Sequence, residues 1–83
     1  MLVTIRYFAS IREAIGLGRE ELQTDAATLA DLRQQLLLRG GAYAQALAHG
    51  QAVRMALNQV MQDEAAALVD GAEVAFFPPV TGG

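Results

Sequence analysis

The sequence predicts an α+β fold, a single mixed sheet with one main helix packed on one face. Three observations carry that expectation. The chain opens and closes on short alternating segments rich in β-branched and aromatic residues, LVTIRYFA at 2–9 and EVAFF at 73–77. Between them, one segment has clear helical periodicity, with Leu29, Leu32 and Leu36 forming an apolar stripe. Finally, 83 residues that are 53% hydrophobic and include no cysteine describe one small domain held by its core rather than by disulfides.

Each element has its own justification. In the first strand, Val3, Ile5 and Tyr7 share one face while Thr4, Arg6 and Phe8 share the other. The polar content of the second set makes the Val3 face the buried one. Ser10 then reads as the N-cap of a short helix, SIREAIG, with Glu13 completing a capping box and Gly16 and Gly18 ending it. REELQT at 19–24 is expected to pair with the first strand as a hairpin. The main helix is expected over 29–39, capped by Thr28, with Asp31 in its first turn and Gly40 as its stop. AYAQALAHG at 42–50 suggests a second short helix, and VRMALN at 53–58 a strand with Val53, Met55 and Leu57 inward. Val60 and Met61 fall in a brief strand or loop, DGAE at 70–73 is a turn with Gly71 at positive φ, and Pro78 closes the last strand because it cannot donate to a ladder. This order fits a ubiquitin-like β-grasp, in which the first and last strands lie side by side and parallel at the centre of the sheet. The expected organisation is a β-grasp domain at 1–77 and an extended C-terminal tail at 78–83.

Composition narrows the function. A net charge of −3 argues against nucleic acid as a partner, which needs a basic face. No apolar run reaches a membrane span and the N-terminal segment lacks the form of a signal peptide, so no membrane is expected and the default location is cytoplasmic. His49 stands alone in a loop with no nucleophile–base set around it, and one histidine without cysteine cannot build a zinc site. Asp63–Glu64 reads as a turn or helix start, Gly40–Gly41 as a helix stop rather than a phosphate loop, and Asp31, Glu20 and Glu21 as solvated faces. All six basic residues are arginines.

The tail is the exception. In FFPPVTGG, at 76–83, two prolines fix φ and aim the chain outward, while Gly82 and Gly83 carry no Cβ and suit a narrow channel. A carboxylate projected this way becomes electrophilic once adenylated, and a sulfur donor can then displace AMP to leave a thiocarboxylate. An ordinary frayed terminus is the alternative reading of the same residues. Strand parity adds that Phe77 points outward if Val74 and Phe76 point in, beside an outward Phe8, with Met61 near enough to extend the pair. Clustered exposed aromatics mark docking surfaces.

The run LVDGAEVAFFPPVTGG at 68–83, with YFASIREAIG at 7–16 and Asn58–Gln59, resembles the small, sulfur-carrier subunit family of molybdopterin synthase. The likeness runs the length of the chain, and the tail is its most specific part. Ala72 departs from the family, which often has an acid there. The resemblance implies a β-grasp fold and a terminal Gly83 that an E1-like adenylating enzyme activates with ATP and a sulfur donor protein converts to the thiocarboxylate. It implies that the large synthase subunit receives the tail, Pro78, Pro79, Val80, Thr81 and Gly82 included, in a heterotetramer. Sulfur then passes to cyclic pyranopterin monophosphate, two per molybdopterin. Phe8, Met61 and Phe77 match the family's hydrophobic contact positions. No cofactor is expected on this chain itself. A carrier for thiamin or tRNA thiolation, and a ubiquitin-like binding module without acyl chemistry, remain the alternatives.

Overall fold

A computed structural model describes residues 1–79. In chain order the elements are β1 (Leu2–Tyr7), α1 (Ala9–Ile15), β2 (Arg19–Gln23), α2 (Leu29–Leu37), α3 (Gly41–Ala46), β3 (Arg54–Leu57), β4 (Val60–Gln62) and β5 (Glu73–Phe77). The five strands form one sheet in the order β2-β1-β5-β3-β4. β1 and β5 run parallel at its centre, and the other neighbours are antiparallel. This is the ubiquitin-like β-grasp arrangement, with the strand at the end of the chain inserted between the first strand and a later hairpin.

The core lies on one face of the sheet. Val3, Ile5 and Tyr7 of β1 and Val74 and Phe76 of β5 meet Leu29, Leu32 and Leu36 of α2, with Ile11, Leu47, Met55 and Leu68 completing the cluster. Full burial of an aliphatic side chain contributes roughly 1.5–3 kcal/mol, so the three α2 leucines are a large share of what holds the helix to the sheet. Thr28 caps α2 as expected, its Oγ1 accepting from the Asp31 N–H at 3.2 Å. The helix ends at Leu37, two residues before the expected boundary. There the N–H groups of Arg39 and Gly40 reach back to the carbonyls of Leu36 and Leu37, a tighter turn that Gly40 leaves at φ 73°. Gly71 takes the positive φ its turn requires. β3 carries Met55 inward, but Ala56, on the opposite face, is also covered, since a small side chain at the middle of a sheet is shaded by its neighbours.

Two expectations at the start of the chain need correction. β1 stops at Tyr7, and Phe8 is not a strand residue but the N-cap of α1. Ser10 does not cap that helix, and no side chain does. Instead Ala9 takes a left-handed φ of 51°, turning the chain so that the Phe8 carbonyl accepts the N–H groups of Ile11 and Arg12. The backbone therefore begins the helix two residues before the hydroxyl could act. No helix among the described residues is long and apolar enough to cross a membrane.

Candidate functional site

The site follows from the pairing of β1 with β5. In the parallel register Tyr7 is partnered with Phe76, and the Phe8 N–H continues the ladder to the Phe76 carbonyl at 3.1 Å. Tyr7 and Phe76 are both buried, their rings stacked with centroids 6.2 Å apart and planes 17° from parallel. The residue that follows each of them turns outward. Phe8 is 39% exposed and Phe77 is half-buried. An inner pair of aromatics thus fixes the position of an outer pair.

Phe8 and Phe77 line one open groove of about 560 Å³ with Arg6, Ala9, Gln59, Glu73, Ala75, Pro78 and Pro79. Chain direction explains the company. β5 ends on Phe77 itself, and Pro78, which stops the ladder, is part of the groove's wall. A turn of two residues, Asn58–Gln59, joins β3 to β4 with φ of 50° and 69°, as the twist of a tight hairpin demands. Asn58 fastens the turn to β5, its N–H donating to the Glu73 carbonyl and its Oδ1 accepting the Glu73 N–H. Gln59 is thereby held at the groove's rim. Sequence reasoning used Gln59 and Ala9 only as part of the family resemblance and did not place them at a site, although positive φ at non-glycine residues marks backbone held by its surroundings.

Met61 sits differently. It lies on the same face of the sheet, since it is opposite Ala56 and Ala56 is opposite Ala75, and it is 53% exposed. It lines a neighbouring cleft with Arg54, Gln62, Asp63 and Glu64 rather than the aromatic groove. Val80, Thr81, Gly82 and Gly83 lie outside the described residues. His49 is exposed in its loop, 3.3 Å from Gln34 Oε1, with no nucleophile as partner among the described residues.

Behind the groove is a polar network that the sequence did not suggest. Glu20, expected on a solvated face, is 16% exposed and accepts from the hydroxyls of Tyr7 at 2.8 Å and Tyr43 at 2.9 Å and from Arg39 at 2.8 Å. Burial alone would raise its carboxyl pKa, but the hydrogen bonds from Arg39, Tyr7 and Tyr43 outweigh it and hold the group below its usual value. Burial first, and then the bond to Glu20, push the Tyr7 hydroxyl far above its ordinary pKa, and Tyr43 is raised for the same reasons. The network ties β1, β2, α3 and the end of α2 together just behind Phe8. The charge pattern of REELQ gave no warning, because burial of one acid in an alternating strand depends on what another helix brings to it.

The groove's lining is mostly apolar, with Arg6 and Glu73 its charged residues. The ThiS family profile matches residues 5–83. The molybdopterin synthase sulfur carrier subunits of Haemophilus influenzae and Escherichia coli are each 39% identical over 82 residues, spanning 99% of this chain and 100% of the relative. A chain in the complex of subunits 1 and 2 of the molybdopterin-converting factor from Helicobacter pylori superposes with a TM-score of 0.70 at 28% identity, with both chains covered in full. The match runs from β1 through residue 83 on a β-grasp sheet, and the chain belongs to the ThiS family.

Proposed function

We propose that this chain is the sulfur carrier of molybdopterin synthesis. An E1-like enzyme joins the Gly83 carboxylate to the AMP moiety of ATP with loss of pyrophosphate. Sulfide-level sulfur released by a sulfur donor protein then bonds to the acyl carbon, the acyl–phosphate C–O bond breaks, AMP leaves, and Gly83 carries a thiocarboxylate. Bound to the large synthase subunit, the thiocarboxylate sulfur forms a bond to cyclic pyranopterin monophosphate, and hydrolysis returns the carboxylate. Two such deliveries supply the two sulfurs of molybdopterin. The chain binds no cofactor of its own in this scheme, and ATP belongs to the activating enzyme. The acid, base and electrostatic groups come from the partners in this reading.

The observation that carries this reading is the full-length likeness to two sulfur carrier subunits, coupled to a chain end that leaves the sheet beside an exposed aromatic groove. In it, Phe8, Phe77, Pro78 and Pro79 form the docking surface, Met61 extends it across the sheet, and Val80, Thr81 and Gly82 thread the partner's channel.

The test is an intact mass. Incubation with ATP, the activating enzyme and a sulfur source should add the difference between sulfur and oxygen, located at Gly83. Deleting Gly83 should abolish the gain while the unfolding curve stays unchanged. Adding the large subunit and cyclic pyranopterin monophosphate should then yield molybdopterin. A full-length chain that never releases pyrophosphate would sink the carrier reading. A thiocarboxylate that the large subunit cannot use would redirect it to thiamin or tRNA thiolation.

A further inference from the structure

The outer face of the sheet has a charge pattern at odds with the chain as a whole. Net charge is −3. By register, the outward residues nearest the tail are Arg54 of β3 and Phe77 of β5, with Phe8 beyond β1. The next outward row reads Arg19, Arg6, Ala75, Ala56 and Met61 from β2 to β4. These two rows contain arginines and apolar side chains and no carboxylate. Along the strands, acids begin in the third row, where Glu21 and Glu73 flank Thr4, and Asp63 and Glu64 follow β4 beside Arg54.

Of the other four arginines, Arg19 pairs with Glu21, Arg33 with Glu64 and Arg39 with Glu20, while Arg12, on α1 and off this face, makes no ion pair among the described residues. Arg6 and Arg54 take part in no ion pair among the described residues. Arg6 instead lies over the Phe8 ring, 5.2 Å from its centroid. Glu73 lines the same groove at its far end, fixed by its backbone to Asn58. Arg54 shares a cleft with Asp63 and Glu64 without an ion pair to either. Asp63 accepts from the Ala65 N–H at 2.8 Å, and Glu64 is held by Arg33 at 2.7 Å.

Resting on the sulfur-carrier reading, we propose that the large subunit meets this face with an acidic surface, its carboxylates engaging Arg6 and Arg54 on either side of the apolar groove. The aromatic contact supplies affinity but little orientation. Two guanidinium forks on either side of the chain's exit add it, because each takes a carboxylate in a fixed plane. Together they set the angle at which the tail meets the channel. Charges at a rim act mainly on the rate of association, so this pair should steer the carrier toward its partner more than it tightens the complex.

The test measures association and dissociation rates with the purified large subunit at low and high salt. For the wild-type chain the association rate should fall steeply as salt rises. The double reversal Arg6→Glu/Arg54→Glu should slow low-salt association about tenfold or more and flatten the salt dependence, with an unchanged unfolding temperature. If the reversal destabilises the fold, Arg6→Gln/Arg54→Gln should give the same flattening at smaller amplitude. Association rates that ignore both substitutions and salt, while Phe77→Ala still weakens binding, would overturn this inference alone. A wild-type chain that does not bind the large subunit would overturn the carrier reading itself.

Discussion

Replacing Arg33 with methionine should destabilise the domain by about 2–4 kcal/mol, although it exchanges a charge for an apolar side chain in the interior. Arg33 is 4% exposed. Its Nε donates to the Leu47 carbonyl at 2.8 Å, one Nη to the Ala48 carbonyl at 2.8 Å and the other to Glu64 at 2.7 Å. Apolar replacement of a buried ion pair is often neutral, since both charges leave together. Here two of the three acceptors are main-chain carbonyls at the end of α3, which remain when the guanidinium goes. A buried acceptor left unpaired costs about 1–3 kcal/mol, and Leu47, fully buried, should approach the upper part of that range. Ala48 is half-buried and regains some water, and Glu64, with a side chain 43% exposed, regains most of its own. For a domain of this size each kcal/mol lowers Tm by roughly 4–8 °C, so a fall of about 8–32 °C is expected. Thermal and urea unfolding followed by circular dichroism at neutral pH would measure it. A loss below about 1 kcal/mol would refute the reasoning, because it would mean the carbonyls find water without help. Glu64→Gln is the control and should cost less than Arg33→Met, because the Glu64 side chain is 43% exposed and the amide oxygen can still accept from Arg33.

Three other outcomes are expected. The folded Glu20 carboxyl lies below its usual pKa, so its contribution is complete at neutral pH and disappears as pH falls from the ordinary carboxylate range through the folded value. Glu20→Gln should flatten that acid limb in a stability–pH curve. At the alkaline end the sign reverses. Tyr7 is raised, so its contribution holds below about pH 10, where the unfolded tyrosine begins to ionise, and declines above it. Phe77→Ala should weaken partner binding with a small loss of stability, whereas Phe76→Ala, which empties a buried site, should cost about 3–5 kcal/mol. Calorimetric binding and unfolding of the two variants would separate docking from core, and equal losses of stability would remove the distinction. Ala9→Gly should raise stability by up to about 1 kcal/mol, because a left-handed φ of 51° strains any side chain with a Cβ; a lower Tm would show that the surroundings already absorb the strain.

The fold was legible because its signals were local and strong. Alternation marked Val3, Ile5, Tyr7, Val74 and Phe76, the leucine stripe marked α2, and Gly40 and Gly71 marked turns that only positive φ allows. The outward aromatics were legible for the same reason, since parity places Phe77 once Phe76 is known. What escaped was set by distant partners. Ser10 had the form of a cap, but the Phe8 carbonyl and the turn at Ala9 started the helix first. Glu20 looked solvated because nothing near it in the chain shows that Tyr43 and Arg39 close over it. Arg33 gave no signal at all, because its acceptors are carbonyls fourteen and fifteen residues away that no side-chain pattern encodes.

The position of β5 has a consequence for how the molecule is made. The hairpins β1–β2 and β3–β4 join neighbours in sequence, but nothing connects the two halves of the sheet until residues 73–77 slide between them. Such long-range closure is slow and cooperative. It also means that a chain broken off before Phe77 presents neither a finished sheet nor the groove beside Phe8. The strand that locks the domain is the one that leads into the tail. A partner able to recognise the groove has therefore already recognised a chain synthesised at least through Phe77 and the two prolines after it.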